Sequence, residues 1–381
     1  MNLFQEIKKW KAEAVADGIE LFDLSIGQPT GAPPLAARDA CARAVMSDLM
    51  SMHEYQDNGS PGNPGFAQRF VQAHVKTNLS DRDLLGYLPI PGIKPMIPLL
   101  ALACGKKPVA GMTNPGYGVI ATWCGEGYLN SEYTALNTNP ENGFIVSPKE
   151  IPVGTKLLYL NYPHNPSGAC ISEEEMWELC QYCDDNGIRI ANDGAYAILA
   201  EEGTTLADVA IHFPNLSWLE MFSSSKATNF TGWRSGAMVG SKDFIDDVAK
   251  IKGNTDSGFF APASVGVEAA FINSLSEIQE IRDIYRNRRK ILIETLLGLG
   301  MEIARVPGAG FFTLWETPKK AFGQKVESSR DFNKLMIKTT GIVGVHFHPY
   351  IRYAVVGDVE RMLPFIKVGF KAAFSDQTKL L

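Results

Sequence analysis

The sequence lacks the features that mark membrane proteins and nucleic-acid-binding proteins. None of its apolar runs reaches the roughly 18 residues needed to span a bilayer. It has no long basic run, and 36 Lys and Arg residues against 42 Asp and Glu residues leave a net charge of −6. A mildly acidic chain binds nucleic acid and anionic membranes poorly. The stretch MNLFQEIKKWKAEAVADG at the N-terminus carries charges throughout and has no signal-peptide apolar region. We therefore expect a soluble, cytoplasmic protein with no membrane or nucleic-acid partner.

Cysteine is scarce, and a dinucleotide-binding glycine motif is missing. Six cysteines in a chain of 381 residues do not make a disulfide scaffold. Cys180 and Cys183 form a C-x-x-C pair on a predicted helix, but no second Cys or His pair lies nearby, so we expect no metal site. No G-x-G-x-x-G follows an early strand, which argues against a nicotinamide-dependent dehydrogenase.

The middle of the chain alternates apolar strands with amphipathic helices. Strands are predicted at 157–162, 187–193, 216–224 and 235–241, and Ser172 is suited to begin a capped helix between the first two. Strands separated by helices predict an α/β fold, with a mostly parallel central sheet and helices on both faces.

The length predicts more than one domain, since a typical domain has about 150 residues. Residues 274–299 have the pattern of one long amphipathic helix, and shorter alternating runs follow it. We predict a large domain over residues 37–273, and a smaller α+β domain made of residues 1–36 and 274–381.

Reactive side chains follow three of the predicted strands. Asn165 comes after the first, Asp193 and Tyr196 stand at the end of the second, and Lys226 and Arg234 follow the third. In open α/β sheets, ligands bind at the carboxyl ends of the strands. A buried Asp and a buried Lys are costly unless they are paired or hold a ligand. The sequence therefore predicts a binding site at this edge.

Pyridoxal 5′-phosphate is a cofactor that needs this set of groups. Its aldehyde forms a Schiff base with a lysine amine. A carboxylate beside the pyridine nitrogen keeps that nitrogen protonated, so the ring draws in electrons. A donor is needed at the phenolate oxygen, and hydroxyls, N–H groups and a cation are needed around the phosphate.

The same residues carry a family resemblance that covers nearly the whole chain. The pattern S-x-S-K-x-x-N-F-x-G-x-R-x-G, from Ser223 to Gly236, resembles the lysine signature of class I aminotransferases, the fold type I group of pyridoxal-phosphate enzymes. DLSIGQPTGAPP (23–34), HNPSG (164–168) and D-x-x-Y from Asp193 are similar to other motifs of that family, in the same order.

The resemblance implies a catalytic role for three residues. Lys226 is implied as the Schiff-base lysine and, once freed by substrate, as the base that moves the α-proton. Asp193 is implied as the partner of the pyridine nitrogen. Asn165 and Tyr196 are implied as donors to the phenolate oxygen. The three implied catalytic residues are therefore Lys226, Asp193 and Tyr196.

The remaining implied contacts surround the cofactor and the substrate. Ser223, Ser225 and Arg234 are implied at the phosphate, with the turn residues Gly92, Ile93 and Lys94, and Tyr117 is implied as the aromatic that stacks on the ring. Tyr55 resembles the tyrosine that reaches the phosphate of a neighbouring subunit, which implies a homodimer with shared active sites. Arg352, Gly27 and Asn165 are implied to bind the substrate, Arg352 through its α-carboxylate.

Three stretches depart from the family pattern. The phosphate turn PIPGIKPMI (89–97) has no Ser or Thr hydroxyl, so backbone N–H groups and Lys94 are expected to replace it. The stretch after Tyr55 is longer than usual, and the Gly/Pro-rich loop before Arg352 is shorter. Because this loop normally forms part of the wall beside the substrate, its shortening means that the substrate is less well predicted by the family resemblance.

The implied reaction is transamination between an amino acid and a 2-oxo acid by a ping-pong mechanism. Three stretches resemble LL-diaminopimelate aminotransferases: LFQEIKKWKAEAVADGIELFDLSIGQP (3–29), TNFTGWRSGAMVG (228–240) and KGNTDSGFFAPASVGVEAAF (252–271). This resemblance implies LL-diaminopimelate and 2-oxoglutarate, or a related amino acid, as substrates. A pyridoxal-phosphate lyase or decarboxylase on the same fold is the alternative. A non-catalytic regulator would be expected to lack the lysine or to carry a DNA-binding segment.

Overall fold

The computed structural model describes residues 3–79 and 84–375 of the chain. Within this part the α-helices are α1 Leu3–Ala16, α2 Leu35–Val45, α3 Phe66–Gln72, α4 Ile97–Ala103, α5 Val119–Gly125, α6 Glu173–Asn186, α7 Leu206–Ala210, α8 Lys242–Lys252, α9 Ala261–Asn273, α10 Leu275–Leu297, α11 Ser329–Thr340 and α12 Val359–Phe374. The strands are β1 Phe22–Asp23, β2 Leu85–Ile90, β3 Val109–Asn114, β4 Glu132–Asn137, β5 Thr155–Leu160, β6 Arg189–Asp193, β7 Trp218–Ser223, β8 Gly236–Ser241, β9 Ile303–Arg305, β10 Phe312–Glu316, β11 Lys320–Ala321, β12 Gln324–Lys325, β13 Ile342–Val343, β14 Val345–Phe347 and β15 Tyr350–Ala354.

A seven-stranded sheet in the order β2-β8-β7-β6-β5-β3-β4 forms the centre of the fold. β8 runs antiparallel to both of its neighbours, and the other pairings are parallel. Side chains that alternate along β5 enter two different apolar clusters, Leu158 and Leu160 on one side and Leu157 and Tyr159 on the other. Because both faces of the inner strands are buried, β5 is mostly apolar, whereas the edge strand β4 is largely exposed. The predicted α/β class with a mostly parallel sheet is confirmed.

Helix α6 shows how local chemistry sets the limits of an element. The Ser172 hydroxyl accepts from the Glu175 backbone N–H at 3.2 Å, and the Glu175 carboxylate accepts from the Ser172 N–H at 2.8 Å. Gly187 ends the helix in the left-handed conformation, with φ of 59°. The capped helix predicted from Ser172 is therefore confirmed. Its glycine cap also explains why β6 begins at Arg189 and not at 187.

The first part of the chain lies against the last part. β1 pairs in parallel with β13, and α1 contacts α11, where Glu6 forms an ion pair with Arg330. β9, β10, β14 and β15 form a separate antiparallel sheet in the order β14-β15-β10-β9. The division into residues 37–273 and residues 1–36 with 274–381 stays a prediction, and its outermost residues, 1–2 and 376–381, lie outside the described residues. In residues 3–79 and 84–375, no helix is long and apolar enough to cross a membrane.

Candidate active site

Three neighbouring strands of the central sheet end beside one cavity of about 500 Å³. β5, β6 and β7 are adjacent and parallel, so their carboxyl ends meet at the same edge. The cavity is lined by Phe4, Gly27, Gln28, Ile93, Lys94, Tyr117, Asn161, Asn165, Asp193, Ala195, Tyr196, Ser223, Ser225, Lys226, Thr231, Arg234, Phe312 and Arg352. The structure therefore brings together most of the residues that the sequence singles out.

Lys226 extends its amine across the cavity. The Lys226 Nζ donates to the backbone carbonyl of Gly27 at 2.8 Å. Burial lowers the pKa of Lys226 to about 8, although the nearby Asp193 carboxylate acts in the opposite direction. An amine with a pKa near neutrality can both attack a carbonyl carbon and exchange a proton.

Asp193 is a buried carboxylate at the end of β6. It accepts from the Ala195 backbone N–H at 3.0 Å and from the Tyr159 hydroxyl at 3.3 Å. Burial raises the pKa of Asp193 to about 6, and these two donors and the charge of Lys226 oppose the rise. A carboxylate in such surroundings gains most from a cation placed beside it.

Hydroxyls and a guanidinium gather at another part of the cavity. The Ser223 and Ser225 hydroxyls lie 2.9 Å apart. Arg234 donates to the carbonyls of Thr231 at 3.0 Å and Pro91 at 3.1 Å. A Cβ on Gly92, which has φ of 80°, would lie 2.3 Å from a terminal nitrogen of Arg234, so this close approach requires glycine.

The phosphate turn differs from a helix start. Ile93 and Lys94 line the cavity, but α4 begins only at Ile97, after a turn in which the Met96 N–H donates to the Ile93 carbonyl at 2.8 Å. The expected replacement of a hydroxyl by Lys94 is thus compatible with its place in the cavity. Together with Arg234 it supplies positive charge that suits a dianion.

A second guanidinium lies opposite, on β15. Arg352 is buried and donates from Nη1 to the Asn165 side-chain oxygen at 2.8 Å and from Nη2 to the Ser25 carbonyl at 3.1 Å. Its Nε has no partner among the described residues. The Arg352 guanidinium also lies 4.0 Å from the centre of the Phe312 ring and 5.4 Å from that of Phe347. A planar group held this way keeps donors available for a carboxylate.

Burial lowers the pKa of Arg352 only to about 10, so the group stays charged at neutral pH. Burial also raises the pKa of Tyr117 to about 12, and it raises the pKa of Tyr196 further above its ordinary value. Both phenols therefore keep their protons and can donate. The oxygen of the Asn165 amide accepts from Arg352, which leaves its NH₂ group as the donor.

Two predicted site residues, Gly92 and Tyr55, are not among the residues that line the cavity. Gly92 lies against the lining residue Arg234, whereas Tyr55 lies away from the cavity. The Tyr55 side chain is 77% exposed and belongs to a surface loop. Gln56 fixes this loop by donating to Ser51 and Glu54 carbonyls and accepting from the Gly62 N–H. The contact of Tyr55 with a neighbouring subunit stays a prediction.

Sequence reasoning missed several residues of the cavity. Asn161 donates from its side chain to the Asp193 carbonyl at 2.8 Å and accepts from the Asn165 N–H at 3.1 Å. Tyr159 does not line the cavity, but its hydroxyl donates to Asp193. The available signal was a polar side chain within the buried strand β5 for Tyr159, and one directly after that strand for Asn161. The other missed lining residues are Phe4, Gln28, Ala195, Thr231 and Phe312.

This donor set fits pyridoxal 5′-phosphate. The amine of Lys226 and the carboxylate of Asp193 line the same cavity. The other polar groups that line it are the hydroxyls of Ser223 and Ser225, the cations of Lys94 and Arg234, and the protonated phenols of Tyr117 and Tyr196. The cavity volume of about 500 Å³ lies within the usual range for small-molecule sites.

Comparison with known proteins agrees with this chemistry. The family model described as aminotransferase class I and II matches residues 19–355. An LL-diaminopimelate aminotransferase of Methanocaldococcus jannaschii is 31% identical over 88% of this chain and 80% of that protein. Another, from Syntrophobacter fumaroxidans, is 28% identical over 98% of this chain and 96% of that protein.

Solved structures show the same fold at lower identity. An aspartate aminotransferase double mutant from Thermus thermophilus superposes with a TM-score of 0.84, at 19% identity, covering 98% of this chain and 97% of the other. A probable N-succinyldiaminopimelate aminotransferase from the same organism gives a TM-score of 0.81, at 20% identity, covering 97% and 100%.

The chain belongs to the class I and II aminotransferase family. It is a pyridoxal-phosphate-dependent aminotransferase of fold type I, and it resembles the LL-diaminopimelate aminotransferases among its relatives.

Proposed function

We propose that this enzyme transfers the amino group of LL-diaminopimelate, or of a related amino acid, to 2-oxoglutarate by a ping-pong mechanism. Relatives named LL-diaminopimelate aminotransferases, 31% and 28% identical over most of this chain, support this donor. The observation that carries the chemistry is that the buried amine of Lys226 and the buried carboxylate of Asp193 line the same cavity, after adjacent strands.

In this proposal Lys226 acts at the carbon that bonds to the amino group, and Asp193 acts at the pyridine nitrogen of the cofactor. When bound, pyridoxal phosphate supplies an electron sink for the charge that develops at the substrate Cα. Lys226 would hold the cofactor through its amine and, once substrate has taken its place, would accept the proton released at the substrate Cα and return it in the next half of the reaction. Asp193 keeps the pyridine nitrogen protonated.

The other groups bind and orient. Asn165 and Tyr196 donate to the phenolate oxygen, and Tyr117 covers the ring. Ser223, Ser225 and Arg234, with the turn at Gly92–Lys94, hold the phosphate. Such positioning matters because the bond that breaks must lie perpendicular to the ring plane.

Arg352 clamps the substrate α-carboxylate. Two of its five N–H donors are engaged by Asn165 and Ser25, and the buried Nε has no partner among the described residues. Gly27 is assigned to the substrate because it lines the cavity. A Cβ at this position would lie 3.3 Å from the Phe312 ring, so glycine lets the backbone lie close to that ring. Asn165 lies next to Arg352 and contacts the same carboxylate.

A panel of amino donors tests the reaction and the substrate. The purified enzyme with pyridoxal phosphate and 2-oxoglutarate is offered LL-diaminopimelate, aspartate, alanine, an aromatic amino acid and methionine, and glutamate, ammonia and carbon dioxide are measured. We expect glutamate equimolar with the new oxo acid, the highest kcat/KM for LL-diaminopimelate, and no excess ammonia or carbon dioxide. A higher kcat/KM for another donor would contradict the substrate, and release of ammonia or carbon dioxide without glutamate would indicate a lyase or decarboxylase.

We also propose that the enzyme is a cytoplasmic homodimer whose active sites are shared. A groove lined by Cys41, Trp233, Arg234 and Phe260, among others, lies beside the phosphate part of the site, because Arg234 borders both spaces. Apolar side chains of Met46, Leu49, Met50, Tyr55 and Phe260 are exposed in the single chain. All six cysteines are free thiols, which supports a reducing compartment.

Removal of the Tyr55 hydroxyl tests the shared site. A hydrogen bond to a charged group is worth about 1.5–3 kcal/mol, so Tyr55→Phe should raise the Kd for pyridoxal phosphate roughly 10- to 100-fold. Tyr128→Phe is the matched control, since Tyr128 is similarly exposed at 70% and does not line the cavity. An unchanged Kd in Tyr55→Phe, or a monomer mass for the active wild type in sedimentation, would refute the shared site.

A further inference from the structure

The segment from Asp23 to Gly27 contacts two cationic groups of the site, Arg352 and Lys226, through its backbone. The Ser25 carbonyl accepts from the Arg352 Nη2 at 3.1 Å, and the Gly27 carbonyl accepts from the Lys226 Nζ at 2.8 Å. Two carbonyls, two residues apart, thus contact the guanidinium on β15 and the amine after β7. The position of this segment determines where both groups point.

Asp23 holds this segment from outside the cavity. Its Oδ1 accepts from the Ser25 N–H at 2.9 Å and from the Ser25 hydroxyl at 2.6 Å, closing a turn directly before the carbonyl that Arg352 contacts. The intervening Leu24 is fixed by its N–H to the Val343 carbonyl at 2.9 Å and by its carbonyl to the Ala354 N–H at 2.6 Å. Asp23 is not among the residues that line the cavity.

The other oxygen of Asp23 pairs with Lys11 on α1. This ion pair is partly buried, with 28% of the Lys11 side chain and 19% of the Asp23 side chain exposed. Helix α1 is itself attached to α11 by ion pairs of Glu6 with Arg330 and of Glu13 with Lys338. The turn at Asp23 is therefore connected through α1 to α11.

We infer that Asp23 is a positioning residue for substrate binding, and that its ion pair with Lys11 makes the N-terminal helix α1 part of the catalytic framework. This inference rests on the proposed role of Arg352 as the carboxylate clamp. Without the Asp23 carboxylate, the Ser25 N–H and hydroxyl lose their acceptor and the turn relaxes. The Ser25 carbonyl then no longer orients the Arg352 fork, so the α-carboxylate binds less well.

Four variants and a control separate positioning from general stability. Asp23→Ala removes both interactions of the carboxylate, and Asp23→Asn keeps an acceptor for the Ser25 N–H but loses the charge. Lys11→Met removes only the ion pair, and Lys11→Arg restores it. Lys9→Met is the control, because Lys9 lies on the same helix and faces Glu13, 4.0 Å away.

Four quantities are measured for each variant: KM and kcat for the amino donor, the Kd of propionate as a competing carboxylate without an amino group, and the visible absorbance of the bound cofactor. A misplaced clamp should raise KM and the propionate Kd about 10-fold in Asp23→Ala and about 3-fold in Lys11→Met. Asp23→Asn should fall between them, and Lys11→Arg and Lys9→Met should match the wild type. The cofactor absorbance should stay unchanged throughout.

The inference is overturned if Asp23→Ala binds propionate as the wild type does, or if its cofactor is lost in proportion to its activity. If Asp23→Ala does not fold, Lys11→Met decides the question, and a propionate Kd equal to that of Lys9→Met overturns the inference. Failure of the proposed function would look different, since the wild type itself would then form no glutamate from any donor.

Discussion

Lys226→Ala is expected to lose turnover by about 10⁴-fold or more, because the variant lacks both the nucleophile and the group that moves the proton. Among the described residues, Lys226 is the cavity lysine whose amine donates to the Gly27 carbonyl and whose charge acts on the Asp193 carboxylate, whereas Lys94, which also lines the cavity, does neither. Turnover is measured as glutamate formation, and the cofactor bond as visible absorbance.

The control for this variant is Lys242→Ala. Lys242 is an exposed lysine that pairs with Asp246 in the first turns of α8. It should keep full activity and the visible absorbance of the bound cofactor. If Lys226→Ala turned over as fast as the wild type, Lys226 could not be the residue that moves the proton.

Asp193→Asn is expected to have the second largest effect. The amide can still accept from the Ala195 N–H, but it carries no charge to hold a cationic ring nitrogen. Breaking a buried ion pair costs about 3–5 kcal/mol, which corresponds to a loss in kcat of roughly 10²-fold to several thousand-fold. The measurement is single-turnover kinetics with saturating pyridoxal phosphate, so that weaker cofactor binding does not mask the chemical step.

Glu220→Gln controls for the loss of any buried carboxylate. Glu220 lies on β7 and accepts from the Asn192 side chain and the Ala207 N–H, both at 2.7 Å, and it does not line the cavity. This variant should lower the melting temperature and leave kcat near that of the wild type. A kcat for Asp193→Asn within a few-fold of the wild type would contradict the role of its charge.

The chemistry of the site could be predicted because it depends on order along the chain. Neighbouring parallel strands have their carboxyl ends at the same edge of the sheet. The residues that follow these strands therefore lie close together, and this does not depend on how the side chains pack. Asn165, Asp193 and Lys226 therefore reach one cavity. The family pattern adds Arg352, which no strand-end argument would have selected.

The supporting contacts could not be predicted, because they depend on register and on chain segments far apart. Phe312 lies against Arg352 only because β10 pairs with β15 so that Leu314 faces Arg352. The hydrogen bond from Lys226 to Gly27 joins residues 199 positions apart. The strands β2 and β3 contain Gly86, Pro89 and Gly111, which weaken any strand prediction.

The central claim is that the amine of Lys226 is the group that holds the cofactor. The direct measurement is to saturate the wild type with pyridoxal phosphate, reduce the bond with borohydride, digest the protein and find the modified peptide by mass spectrometry. The structure predicts that the label lies on Lys226, in the SSSK segment, and that an excess of amino donor added before reduction prevents it. A label on a different lysine, or no label on a protein that still forms glutamate, would contradict the account.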